Sequence, residues 1–108
     1  MKVSELVKHE EFKLVNQLFD RDIEGCYISD LLSWVMGKGQ SDEAWITIQV
    51  HINTLAVAVL KDFSCLIFAE GAKADQEMID KANEEGISII ECELPIYETA
   101  LKIKELNG

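Results

Sequence analysis

Three short apolar runs, Ala44–Val50 (AWITIQV), Ser64–Ala69 (SCLIFA) and Ile87–Cys92 (ISIIEC), alternate with stretches of helical spacing, and that alternation leaves few folds open. The runs carry the β-branched and aromatic residues that suit a pleated surface. Parallel strands must be joined by crossovers of a dozen or more residues, usually helices. A strand–helix–strand–helix order therefore argues for an α/β domain around a parallel sheet. The segment Thr54–Lys61 (TLAVAVLK) decides the matter, because its composition also fits a strand. Helix is favoured, since Ser64–Ala69 is the stronger strand and a helix between the two runs permits a right-handed crossover.

The remaining elements follow from caps and breakers. Lys2–His9 reads as a short helix with Ser4 at its start, and Phe12–Val15 as a first short strand. Gln17–Glu24 is irregular, and Cys26–Ile28 is a strand. Asp30 or Ser29 is expected to cap a helix through Leu31, Leu32, Trp34, Val35 and Met36, which Gly37 and Gly39 end. Asn53 is expected to cap Thr54–Lys61, and Asp75 a helix to Glu85 with Met78, Ile79 and Ala82 inward and Gly86 at its end. Pro95 opens a last helix whose core face would be Ile96, Tyr97, Ala100, Leu101, Ile103 and Leu106. The expected fold class is α/β, one domain over residues 1–108, with a mostly parallel sheet of about four strands flanked by helices.

Charge narrows the partners. Ten Lys and Arg stand against twenty Asp and Glu, a net charge of −10. Nucleic acid and anionic membranes require a basic patch, so neither is expected as a partner. Arg21 is the single arginine, which rules out a multi-arginine phosphate clamp. No apolar run approaches the roughly 18 residues of a membrane span. The N-terminus lacks a long apolar segment before a small-residue cleavage site, so a cytoplasmic location is expected. Cys26, Cys65 and Cys92 form no CxxC pair and sit in apolar surroundings, as buried thiols do. No metal site and no cofactor are expected.

The candidate site residues are Asp30, Ser33, Gln49, His51, Asn53 and Gly71. If the third strand stays extended, Gln49, His51 and Asn53 project from one face near its C-terminal end, where open α/β sheets bind ligands. The competing reading gives these residues backbone groups to satisfy, with Asn53 and Asp30 as helix caps. Gly71 opens the strand-to-helix loop Glu70–Ala74. Trp34 and Trp45 fit either a stacking platform or the core. The chain has no P-loop, no GxGxxG and no Gly-x-Ser-x-Gly, and no nucleophile–base pair is visible.

The segments GCYISDLLSWVMGKG, DEAWITIQVHINTLAVAVLKD and LIFAEGAKADQEMIDKANEEGISII, with a final helix bearing Tyr-Glu-Thr, resemble a DRTGG domain over most of the chain, Val3 to Leu106. The resemblance is to the stand-alone type found beside iron-hydrogenase and redox-sensing genes. It implies a fold similar to the N-terminal domain of HPr kinase, and a regulatory or assembly role without catalysis. It also implies homodimerisation and a hydrogenase or redox-sensor protein as partner. The naming motif itself is missing: Asp20-Arg21 lacks the following Thr-Gly-Gly, and the strand that should end in paired glycines ends in Glu70-Gly71. Three functions are therefore expected in order: a non-catalytic regulatory or interaction module, a small-molecule (nucleotide-like) binding domain using the candidate residues, and a small enzyme with His51 as general base.

Overall fold

The computed structural model describes every residue from Met1 to Gly108. The elements are α1 (Val3–Leu6), β1 (Lys13–Leu14), β2 (Gly25–Ile28), α2 (Leu32–Lys38), β3 (Glu43–Thr47), α3 (Ile52–Leu60), β4 (Cys65–Phe68), α4 (Gln76–Glu85), β5 (Ser88–Glu91) and α5 (Ile96–Asn107). They form one five-stranded sheet in the order β1-β5-β4-β3-β2. Strands β2 to β5 are parallel, and β1 closes the far edge antiparallel to β5. The sheet thus has five strands where about four were expected, because the two-residue β1 pairs with the last strand and not with its sequence neighbour. Thr54–Lys61 is helical as expected, within α3.

Because β2 to β5 lie in sequence order, three right-handed crossovers in succession place α2, α3 and α4 on one face. Alternate strand residues divide accordingly. Trp45, Leu66, Phe68 and Ile89 pack with Val35, Leu55, Ala58, Met78 and Ala82 of those helices. Ala44, Ile46, Cys65, Ile67 and Ile90 pack with Val3 and Leu6 of α1 and Ile103 of α5. Gly39 follows α2 where the chain presses on the core beneath α2, α3 and α4: a Cβ there would stand 2.5 Å from Cζ of Phe63.

The ends of α4 are as expected: the Asp75 carboxylate accepts from Met78 N at 2.9 Å, and Gly86 takes the left-handed conformation at its end. Met78 and Ala82 are buried as expected, while Ile79 is only half-buried. Four local expectations need correction. Ser4 does not cap α1; its N and Oγ donate to the Asp20 carboxylate. Gly37 lies inside α2, which runs on to Lys38. β3 ends at Thr47, short of Val50. On α5, Tyr97 and Leu101 are exposed, while Thr99 is buried in their place. Its Oγ1 donates back to Pro95 O at 2.9 Å, so the hydroxyl is satisfied and the methyl can pack.

The N-terminal ends of the strands are tied by Arg21, which donates to Asp42, to Asp62 Oδ1 at 2.8 Å, and to the carbonyls of Asp62 and Phe63 at 3.1 Å. Hydrogen bonds from Arg21 and Ser41 hold the Asp62 carboxyl below the usual carboxylate range. No helix is long and apolar enough to cross a membrane.

Candidate functional site

At the C-terminal rim, the pairing of β2 with β3 ends at Ile28 and Ile46. Beyond it, Asp30 links the two strand ends. Its Oδ1 accepts from Thr47 Oγ1 at 2.6 Å and from Ile48 N at 3.0 Å. Thr47 Oγ1 in turn accepts from Gln49 N at 3.1 Å, and Gln49 Nε2 donates to Asp30 O at 3.3 Å. Asp30 is therefore a clamp between strand ends and not a helix cap. The cap of α2 falls on Leu31 without a side-chain bond, although Ser29 Oγ accepts from Leu31 N at 3.1 Å. Trp45 Nε1 donates to Ser29 O at 2.9 Å, anchoring the same turn from inside.

His51, not Asn53, caps α3: its Nδ1 accepts from Asn53 N at 3.0 Å. The chain turns into helix at Ile52, so Gln49, His51 and Asn53 do not share a strand face. The cap occupies the His51 Nδ1 lone pair, leaving Nε2 as the ring atom that faces other partners. Ser33 is exposed on α2. Gly71 lies between the ends of β4 and β5, where its N donates to Cys92 O at 3.2 Å. Its φ of +77° and the nearness of Glu93, 2.8 Å from where a Cβ would be, account for glycine there. Of the six candidates the structure joins Asp30 with Gln49 and His51 with Asn53, while Ser33 and Gly71 stand apart. A polar hollow of about 180 Å³ between the starts of α3 and α4 includes His51, Asp75 and Glu77. No group of three or more His, Cys, Asp or Glu could hold a metal ion.

The largest concavity lies elsewhere and escaped the sequence reading. An open groove of about 540 Å³ runs between β2 and α5, with Glu24, Cys26 and Ile28 on one wall and Tyr97, Leu101 and Lys104 on the other. It exists because α5 packs over β3 and leaves the margin of the sheet at β2 uncovered. Ile28 is 45% exposed, Leu101 42% and Tyr97 70%. Burial pushes the Cys26 thiol up to about 12, with the Glu43 carboxylate adding to the effect, which favours the neutral thiol. A signal was present in the sequence. At about 100° per residue, Tyr97 and Leu101 lie roughly 120–160° round the helix from Thr99 and Ile103, too far for one buried stripe. On the other face Trp34 is 55% exposed with Lys38 Nζ 5.3 Å from its ring centroid, whereas Trp45 is buried against Phe63.

No family model matches the chain, and no curated protein matches it. Among solved structures it is similar to the crystal structure of the CBS and DRTGG domains of the regulatory region of Clostridium perfringens pyrophosphatase, complexed with the activator diadenosine tetraphosphate. The TM-score is 0.70 at 14% sequence identity, covering 93% of this chain. The chain spans 44% of that structure's length. The likeness is one of fold, and it supports a DRTGG-like fold for this chain.

Proposed function

We propose that the protein is a non-catalytic regulatory or protein-interaction module that works as a homodimer and senses a small ligand. The observation that carries this reading is the groove between β2 and α5: the largest concavity is open and apolar, and its thiol is held protonated. Such a surface suits binding more than bond-making. The fold is shared with part of a regulatory region, which supports the same reading. On the resemblance of sequence, the protein partner is of the hydrogenase or redox-sensor class; co-purification from the native cell tests it.

A second reading places a nucleotide-like ligand at the C-terminal rim. It rests on Asp30, whose Oδ1 is engaged while the residue stays exposed beside Gln49. A thermal-shift panel of nucleosides, nucleotides and diadenosine tetraphosphate tests ligand sensing. A compound at 100 times its dissociation constant should add about 2.7 kcal/mol of stability. Gln49→Ala should reduce the shift if the rim is the seat. A panel in which nothing stabilises the protein removes the ligand-sensing part.

A further inference from the structure

We infer that the groove between β2 and α5 is the seat of a second copy of this chain, the two grooves stacked face to face about a two-fold axis that runs along them. This rests on the homodimeric reading above and says which surface and which contacts form the dimer.

The groove has direction. β2 enters at its lower end, where Ile23 N donates to Met1 O. α5 runs the opposite way and finishes at that same end, where Asn107 Oδ1 accepts from the Met1 amino group at 2.8 Å. Glu24 and Lys104 therefore face each other across the lower end, and Ile28 and Tyr97 across the upper end. Neither Glu24 nor Lys104 takes part in an ion pair within the chain.

A two-fold along the groove lays the β2 wall of one copy on the α5 wall of the other, lower end on lower end. Glu24 of each copy then meets Lys104 of the other, twice, and Ile28 meets Tyr97, twice. A two-fold across the groove would instead bring Glu24 onto Ile28 and Lys104 onto Tyr97, charge against apolar surface. The same patch supplies both halves of every contact, as an isologous interface requires. A basic partner helix would pair with Glu24 but meet Lys104 as a like charge. The net charge of −10 on each copy opposes association, yet beyond about 8 Å it is largely screened at physiological salt. The apolar strip is left to carry the contact.

Charge reversal of the full chain, followed by sedimentation equilibrium, tests this. Glu24→Lys and Lys104→Glu should each weaken the dimer about tenfold or more, since like charges then meet twice. Mixing the two single variants should restore a dimer, because the mixed pair recovers both opposite-charge contacts. The double variant should dimerise as the parent does. Both sites are exposed, and unchanged thermal unfolding of each variant at high dilution confirms that folding is intact. Leu101→Glu should leave a folded monomer. A parent chain that is dimeric but indifferent to all these changes overturns the placement and leaves the homodimeric reading standing. A parent chain that is monomeric at tens of micromolar overturns both.

Discussion

The two faces of the sheet are closed unequally. On one, α2, α3 and α4 follow one another across β2 to β5, and Trp45, Leu66, Phe68 and Ile89 are sealed beneath them. On the other, α5 and the four-residue α1 must serve five strands, and the margin at β2 stays open. Helices that are crossovers are placed by the sheet's own connectivity, one per strand gap. A helix that follows the last strand has no such obligation and settles where its most apolar stripe packs best. The covered face is where stability resides, and the open margin is where apolar surface remains for something else.

The largest expected effect tests the covered face. Trp45→Ala should destabilise the fold by about 3–5 kcal/mol, as large-to-small changes in a core do. Leu101→Ala on the open margin should stay within about 0.5 kcal/mol in the monomer at high dilution. Urea denaturation of both variants decides it; equal losses would erase the contrast between the faces. Next comes the rim. Asp30→Ala leaves Thr47 Oγ1 and Ile48 N without their acceptor, which should destabilise by about 1–3 kcal/mol. Faster amide exchange at Ile48 should accompany that loss, and neutrality would mean that the strand ends need no clamp.

The smallest effect sits at the opposite rim and depends on acid. Asp62 has a lowered pKa in the folded state, so its share of stability is fully present above the unfolded carboxylate value of about 3.9 and is lost as pH falls through the lower, folded value. Because Asp62 is exposed, the decline should be shallow. Melting temperatures from about pH 5 downward should fall less steeply in Asp62→Asn than in the parent.

The parts of the molecule legible beforehand are those whose partners are close in sequence. Asp75 and Gly86 bracket α4 as read, because a cap and its helix are only a few residues apart. The helical state of α3 followed from its flanking strands. Asp30 looked like a cap, and as a residue before a helix it had every local reason to be one. It clamps β3 instead because Thr47 and Ile48 arrive beside it only once the sheet has formed. His51 displaced Asn53 as the cap because β3 stopped at Thr47, which started the next helix earlier than the apolar pattern implied. The exposure of Tyr97 and Leu101 was half visible, in a helix with more apolar residues than one stripe can bury.

By itself the amino-acid sequence determined the rhythm of strands and crossovers, and through it the mostly parallel sheet flanked by helices. Periodicity and capping act within a few residues, and handedness does the rest. Only the tertiary structure decided that β2 to β5 would lie in sequence order with α2, α3 and α4 on one face, that β1 would join β5, that the six candidate residues would not gather into one site, and that α5 would leave the margin at β2 open. Each of those outcomes depends on which distant surfaces meet, and that is settled by competition for burial across the whole sheet.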